Sequence, residues 1–391
     1  MPLIVKRVFQ VILPVVLWVG CSDVAFSPLP SQSCLDFIDQ YGPEACIFDP
    51  ESGISTYKYN VQSGKVDLLF VVDNSRSMYQ NQEKMAERFP DLINSIDGLD
   101  WQIAMITTDI SKSPGNSIPR PANGMGAFQD GRFLKFPNGQ FILKKGTPNA
   151  QQLFQTTVRR EETLECDVFA GECPSGDERG IYALNMAIDP EARPENQSFF
   201  RPGAHLGVVI LSDEDVRSRP EVWEYEGYAL EPLDKPESFV KNIAPYLGAT
   251  KVVSAHAIIV RPGDTACLAE QSPGSIKAAY GTHYAALAQP SSTLKSLGNI
   301  VDGVIGNICS NNYTKEMGDI GAKITNNVNM LQLACSPLEG SIKIRFTDHL
   351  GQPIQYSVQY SYNSSNKRVT FNPAAPSGSI VHLEYQCRSG Q

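Results

Sequence analysis

Apolar and polar positions follow a pattern that predicts buried strands separated by helices. Four apolar runs have the length of a strand, at residues 66–73, 101–110, 205–215 and 251–260. Apolar residues at helical spacing predict helices at about residues 79–96, 148–160, 178–188, 236–246, 292–309 and 313–333. Apolar strands that alternate with amphipathic helices indicate a parallel sheet covered on both faces. We therefore predict an α/β fold with a doubly wound, mostly parallel sheet flanked by helices.

Two regions of the sequence depart from this pattern of strands and helices. An insertion follows the second strand, and we expect a hairpin within it, turned at Asn138-Gly139. Near the end of the chain, short stretches alternate apolar and polar positions between Pro, Gly and Asn, which predicts a small antiparallel β module. The predicted organisation is a cysteine-containing lead-in at 34–64, an α/β domain at 65–335 with the insertion at 111–175, and the β module at 336–391.

The first twenty residues have the pattern of a secretion signal. Lys6 and Arg7 precede an apolar stretch at residues 8–19 that is too short to span a bilayer comfortably. We predict a signal peptide over residues 1–20.

The signal ends in Gly20-Cys21, which resembles a bacterial lipobox. We predict lipidation of Cys21 and a Pro- and Ser-rich tether over residues 21–33. The alternative is ordinary secretion, with Cys21 as a free thiol. In bacterial lipoproteins, Ser22 after the cysteine implies passage to the outer membrane, so we expect a location in the cell envelope.

The cysteine count predicts disulfides. Nine cysteines less Cys21 leave an even number after a secretory signal, as expected in an oxidising compartment. Pairing each cysteine with its neighbour along the chain gives Cys34–Cys46, Cys166–Cys173, Cys267–Cys309 and Cys335–Cys387. A zinc site is disfavoured because the sequence contains neither a CxxC nor an HExxH motif.

The charge of the chain excludes one class of partner. The formal net charge is −9, and removal of Lys6 and Arg7 with the signal peptide makes it about −11. Nucleic-acid binding needs a basic face, so we expect no nucleic-acid partner. An acidic chain is compatible with a divalent cation.

Oxygen-bearing side chains follow two of the predicted strands. Asp73, Ser75 and Ser77 come directly after the first strand, and Asp213 ends the strand at 205–215. Ligands of open parallel sheets collect at the carboxyl ends of the strands. Carboxylates and hydroxyls are hard donors, which suit Mg²⁺, Mn²⁺ or Ca²⁺. Singly, Asp73 could instead be a helix N-cap, and Ser75 and Ser77 could be local turn residues.

With "VVDNSRS", "GDERGIYAL" and the later Asp213, the chain resembles a von Willebrand factor A (integrin I-like) domain with its metal-ion-dependent adhesion site, over residues 66–310. The resemblance implies that Asp73, Ser75 and Ser77 hold a divalent cation, directly or through water, and that Asp213 is the family's later aspartate. It also implies a protein partner whose acidic side chain completes the metal site.

Glu178 stands where that family has a threonine. Glu178 either coordinates the ion, filling the open position and favouring Ca²⁺, or hydrogen-bonds the start of the helix at 178–188 and leaves the ion alone. We leave Asp177 undecided. We interpret Glu214 and Asp215 as solvated acids.

Three functions remain distinguishable at this point. The first is a surface-tethered protein that binds a partner through the metal. The second is an envelope scaffold or assembly factor whose partner binding needs no metal. The third is an enzyme, which we do not expect because the sequence has no GxSxG, P-loop or HExxH motif.

Overall fold

The computed structural model describes residues 29–112, 125–164, 173–174, 177–217, 229–247, 251–274, 278–357, 359–372 and 374–388. The predicted signal peptide, the predicted lipidation site Cys21 and most of the tether lie outside these residues, as does Cys166. Within the described residues, no helix has the length and apolar character needed to cross a bilayer.

The α-helices that the described residues form are α1 (Gln32–Tyr41), α2 (Tyr79–Ile96), α3 (Ala150–Val158), α4 (Gly180–Ile188), α5 (Pro236–Leu247), α6 (Thr265–Glu270), α7 (Thr282–Ala288), α8 (Ser292–Leu297) and α9 (Thr314–Val328). The strands are β1 (Cys46–Asp49), β2 (Ile54–Gln62), β3 (Lys65–Val72), β4 (Asp100–Thr107), β5 (Leu143–Lys144), β6 (His205–Ser212), β7 (Val253–Ile259), β8 (Ile300–Val301), β9 (Ile305–Asn307), β10 (Met330–Gln332), β11 (Lys343–Thr347), β12 (Gln359–Asn363), β13 (Arg368–Asn372) and β14 (Ile380–Arg388).

The central sheet has the order β5-β4-β3-β6-β7-β8, with β9 also paired to β7. Its strands are parallel except for β5, which runs antiparallel to β4 at the edge. Helices cover both faces. Along β3, Leu68 and Phe70 face the core beneath α2 and α9, whereas Leu69 and Val71 face the core beneath α4 and α5. Both faces of a strand must be apolar to be buried in this way, which confirms the predicted α/β fold.

The predicted helix at 292–309 is wrong beyond Leu297. The chain leaves α8 and adds two short parallel strands, β8 and β9, to β7. Gly303 lies between them, where a Cβ atom would be only 1.7 Å from the carbonyl oxygen of Ala255. Such a close approach of two backbones requires glycine. The predicted helix at 313–333 likewise ends early, at Val328, and is followed by β10.

The hairpin expected at Asn138-Gly139 is reduced to a turn. The Gly139 N–H donates to the Phe136 carbonyl at 2.8 Å, and the Phe136 N–H donates to the Gln140 carbonyl at 2.7 Å. The next strand, β5, pairs with β4 instead of a hairpin partner. The insertion therefore extends the edge of the central sheet.

A second unit is a β-sandwich built from both ends of the described chain. One sheet has the order β1-β2-β14-β11 and the other β10-β13-β12. Strand β2 pairs with β14 from Ile54↔Arg388 to Gln62↔Ile380, and the rings of Tyr57 and Tyr385 stack with centroids 5.0 Å apart. Residues 34–64 and 336–391 were predicted as separate regions, but β1 and β2 of the first share a sheet with β11 and β14 of the second, and both regions contribute to one core.

Three disulfides follow the nearest-neighbour pairing. Cys34–Cys46 and Cys335–Cys387 lie in the sandwich, and Cys267–Cys309 lies in the α/β unit. Cys173 is also disulfide-bonded, but the expected pair with Cys166 falls outside the described residues.

Candidate metal centre at the carboxyl edge of the central sheet

Asp73 and Asp213 lie at the same edge of the sheet. They directly follow β3 and β6, which are adjacent and parallel, and the Asp73 N–H donates to the Leu211 carbonyl at 3.0 Å. Both side chains are buried, with 0% and 1% of their surface exposed. The two aspartates that the sequence singles out are therefore neighbours at the edge where ligands of parallel sheets bind.

The loop after β3 folds back on its own carboxylate. The Ser75 N–H donates to Asp73 Oδ1 at 2.8 Å, and the hydroxyls of Ser75 and Ser77 are 3.0 Å apart. The Ser212 hydroxyl donates to Asp73 Oδ2 at 2.7 Å. Asp73 does not cap a helix, since the residue that precedes α2 is Met78 and makes no side-chain cap. The alternative of a helix N-cap is therefore wrong for Asp73, and its hydrogen bonds orient the carboxylate.

Glu178 joins the cluster from the loop before α4. The Thr108 hydroxyl donates to its Oε2, and the Arg217 N–H donates to its carbonyl at 2.7 Å. Its Oε1 is buried without a hydrogen-bond partner. Glu178 lies before the first turn of α4, and the capping position belongs to Arg179, without a side-chain cap bond. The expectation that Glu178 hydrogen-bonds the helix start is therefore wrong.

The carboxyl groups of this cluster destabilise one another's charge. Burial and the nearby Asp73 raise the pKa of Asp213 to about 8, although the Ser77 hydroxyl opposes the rise. Burial, then Asp73, raises the pKa of Glu178 well above its usual value. Burial also raises the pKa of Asp73, against hydrogen bonds from Ser212 and Ser75. Among the described residues, none of the three acids forms an ion pair with a lysine or arginine.

The donor set fits a hard divalent cation. Asp213 Oδ1 and Glu178 Oε1 are buried oxygens without hydrogen-bond partners, and carboxylate and hydroxyl oxygens are the ligands that such cations prefer. No group of three or more His, Cys, Asp or Glu side chains among the described residues is arranged to hold a metal by itself. The hydroxyls of Ser75 and Ser77 must therefore be part of any site here.

A neighbouring acidic cluster is neutralised by arginines. Arg217 donates to Asp177, with Nη2 3.0 Å from Oδ2, and Arg179 makes two bonds to Asp234, at 2.9 and 2.8 Å. The undecided Asp177 is thus ion-paired to Arg217. Arg217 has a left-handed backbone, with φ of 57°, and its N–H holds Glu178, so this network fixes the loop that carries Glu178.

Glu214 and Asp215 are buried, with 5% and 8% exposed, so their interpretation as solvated acids is wrong. The Asp215 carboxylate accepts the backbone N–H of His283 at 3.0 Å and lies 2.8 Å from its Nδ1. This pair raises the pKa of His283. Asp215 therefore fixes α7 beneath the edge.

Three residues outside the predicted set hold the acids of the cluster in place. Ser212 and Thr108 bind Asp73 and Glu178 as described. Gln82, 1% exposed, donates to the Asp73 carbonyl at 2.8 Å and accepts the Arg160 N–H at 2.9 Å. Gln82 was detectable in principle, because an amide on the apolar side of an amphipathic helix needs buried partners.

No protein-family model matches the chain, and no curated protein matches it. Among solved structures, the chain is similar to the pilus adhesin SpaC of Lactobacillus rhamnosus GG in its open conformation, with 11% identity and a TM-score of 0.37, over 88% of this chain and 42% of that chain. It is similar to a von Willebrand factor type A protein of Catenulispora acidiphila, with 11% identity and a TM-score of 0.33, over 86% of this chain and 61% of that chain. It is also similar to the manganese-loaded TRAP protein of Plasmodium vivax, with 10% identity and a TM-score of 0.29, over 86% of this chain and 98% of that chain. The chain thus spans less than two thirds of the first two. With TM-scores below 0.5, these similarities add no argument to the geometry.

Proposed function

We propose that the cluster at the carboxyl edge holds a divalent cation and that the chain binds a protein partner there. The observation that carries the proposal is the group of three buried carboxyl groups, Asp73, Glu178 and Asp213, without a basic partner among the described residues. Burying unpaired like charges is costly. A bound cation removes that cost.

The residues that would hold the cation are Asp73, Ser75, Ser77 and Asp213, with Glu178 Oε1 as a further donor. Mg²⁺, Mn²⁺ and Ca²⁺ are the candidates, since all the donors are oxygens. When bound, the cation supplies positive charge that can attract an acidic side chain of a partner. The protein's own contribution is to fix the donors through Ser212, Thr108 and Gln82.

Thermal stability in the presence of metal tests this proposal. A ligand that binds only the folded state stabilises it by about 2.7 kcal/mol at one hundred times its dissociation constant. We expect the melting temperature to rise in saturating Mg²⁺, Mn²⁺ or Ca²⁺ over that in EDTA, and Asp73→Asn to abolish the rise. The exposed Asp302→Asn is the matched control and should retain it. A melting temperature indifferent to all three ions in the wild-type chain would contradict metal binding.

We also propose where the chain is located and which domain family its α/β unit belongs to. We propose that the α/β unit is a von Willebrand factor A-like domain, anchored through lipidated Cys21 to the cell envelope at the outer membrane. Palmitate labelling of the wild type and of Cys21→Ala tests the anchor. Label in the wild type alone is expected, and equal label in both contradicts it.

A second candidate function is an envelope scaffold that binds its partner without metal. One observation favours it: Glu178 Oε2 and both Asp73 oxygens already accept hydrogen bonds from the protein itself. Capture of the same envelope protein by immobilised wild type and by Asp73→Asn, equally in EDTA and in Mg²⁺, would favour the scaffold. Loss of capture in EDTA would favour metal-dependent binding.

We propose no enzymatic activity. Ser254 is flanked by two histidines, but Ser254, His205 and His256 are all fully buried, so no substrate reaches them. A broad hydrolase screen of the wild type against Asp73→Asn tests this, and metal-dependent turnover lost in the variant would contradict it.

A further inference from the structure

A groove of about 860 Å³ runs along the outer edge of the central sheet, beside β4 and β5. Lys144, which lines the groove, is opposite Gln102 near the start of β4. Phe128, which also lines it, accepts a hydrogen bond at its carbonyl from Thr107, the last residue of β4. The groove therefore lies at the β4–β5 edge, although no residue of β4 itself lines it. Its volume is in the range of small-molecule sites, about 300–1,000 Å³.

Most of the surface that lines the groove is apolar, and its apolar side chains are Ala127, Phe128, Phe133, Phe141 and Ile142. Phe133 is nearly buried, with 5% exposed, and belongs to the core beneath α4. Phe141 is 51% exposed, although it is a large apolar side chain. An exposed aromatic ring beside a deep apolar surface is typical of a ligand site, since covering it removes apolar area from water.

The charge of the groove is opposite to that of the chain. Its lining contains Arg132, Lys135 and Lys144 and a single acid, Glu195, in a chain of formal net charge −9. Neither Lys135 nor Lys144 forms an ion pair with a described residue. Arg132 is held at the groove by Asp130, 3.6 Å away, and by the Gln129 carbonyl. Two exposed ammonium groups thus lie next to an apolar surface without an ion pair to a described residue.

We propose that this groove binds a small amphipathic anion, with an aromatic or short aliphatic body bearing one carboxylate or sulfonate. The body packs against Phe141, Phe133 and Ile142, and the anionic group meets Lys135 and Lys144. Apolar burial supplies affinity, and the lysines select the sign of the charge. None of the five residues proposed to hold the metal lines the groove, so this binding does not depend on the metal.

Two ligands with the same ring and opposite charge test the proposal. Titration calorimetry of the full chain in EDTA should show 1-naphthoate binding at least tenfold more tightly than 1-naphthylmethylammonium. The double variant Lys135→Glu/Lys144→Glu should reverse this preference. The control variant Lys343→Glu/Arg345→Glu, on the exposed face of the β-sandwich, should keep it. Phe141→Ser should weaken both ligands by a similar factor.

Each other outcome overturns the proposal. Naphthoate that fails to bind at millimolar concentration, equal affinity for the two ligands, or a preference unchanged in Lys135→Glu/Lys144→Glu all do so. A dimer by sedimentation that becomes a monomer in Phe141→Ser would mean that a second copy covers the groove. All variants change exposed side chains, and a wild-type melting temperature verifies that they fold. Repeating the titration in Mg²⁺ separates the two proposals, because failure of the metal site leaves naphthoate binding intact.

Discussion

Among the described residues, the buried acid at the amino end of β3 has a basic partner, whereas the three buried acids at the carboxyl edge of the central sheet have none. At the amino end of β3, Asp67, 2% exposed, accepts the Arg201 side chain at 2.7 Å and its backbone N–H at 2.8 Å. At the carboxyl end, Asp73, Glu178 and Asp213 are buried as deeply but have no arginine or lysine partner in the described part of the chain. Asp67 is thus neutralised by a residue of the chain itself, whereas the three acids at the carboxyl end are those that we propose to bind a cation.

Three neutral side chains toward the amino end, His205, Ser254 and His256, form a buried row of hydrogen bonds, although His205 Nδ1 has no hydrogen-bond partner. The Val304 N–H donates to His256 Nδ1 at 3.2 Å, so the proton of His256 is on Nε2. That proton points to the Ser254 hydroxyl at 3.0 Å, whose own proton then points to His205 Nε2 at 2.9 Å. Each ring is thus neutral, with one nitrogen accepting, and protonation of either would break the chain of bonds.

The largest expected effect on stability comes from removing the basic partner of Asp67. Arg201→Met should lower the free energy of unfolding by about 3 kcal/mol, because it leaves Asp67 buried without its partner. Urea denaturation at pH 7 measures the change. Lys343→Met, which removes an exposed ion pair with Glu384, should cost less than about 1 kcal/mol. Equal effects of the two variants would contradict the contrast between the ends.

The histidines should make the protein sensitive to acid. Burial lowers the pKa of each ring to about 3, with help from His256 and then Lys251 for His205, and from Lys323 for His256. Between that value and the usual value near 6.5, the unfolded chain binds more protons. The contribution to stability is therefore complete above pH 6.5 and is lost as the pH falls toward 3.

From pH 7 to pH 5 we expect each ring to cost roughly 2 kcal/mol of folding free energy. His256→Gln should reduce the fall, and the exposed His349→Ala should leave it unchanged. Urea midpoints at the two pH values measure this. A fall of the same size in His256→Gln would show that proton uptake by the His256 ring on unfolding does not cause the loss of stability.

At the carboxyl end, Glu178→Gln should weaken metal binding about tenfold, or about 1.4 kcal/mol. The reason is that a carboxylate oxygen without a hydrogen-bond partner is replaced by a neutral amide. Titration calorimetry with Ca²⁺ and Mg²⁺ measures it, with the exposed Glu339→Gln as control. Unchanged affinity for both ions would assign Glu178 to the Thr108 contact alone.

The smallest expected effect is also the most diagnostic. In EDTA, Asp213→Asn should raise the free energy of unfolding by roughly 1 kcal/mol, because it removes a buried group whose charge Asp73 disfavours. In saturating metal the same variant should be less stable than the wild type. A loss of stability in EDTA would mean that Asp213 is needed for packing and that the end is not held open for a cation.

The features that the sequence predicts correctly depend on local periodicity. The apolar run of β3, the helical spacing of α2 and the acid at the end of β6 are each visible within about twenty residues. Parallel pairing then brings Asp73 and Asp213 together, because the fold class fixes which ends of the strands meet. The backbone placement of the metal candidates was predictable for this reason.

The remaining features depend on contacts between distant residues. The helix predicted at 292–309 fails because Gly303 and Gly306 fit close against β7 and Glu316, and helical spacing does not report such approaches. The pairing of β2 with β14 is invisible to any local pattern. The side-chain role of Glu178 is set by Thr108, seventy residues away, so spacing could not distinguish the two alternatives left open for it.

The sandwich also bears on how the chain is made. Strand β2 leaves the ribosome roughly 320 residues before β14, the strand it pairs with. During that interval Tyr57 and Tyr59 can pack on Phe37 and Tyr41 of α1, but they lack the Tyr385 ring of β14. The Cys335–Cys387 disulfide can therefore form only after β14, the last strand of the sandwich, has been synthesised.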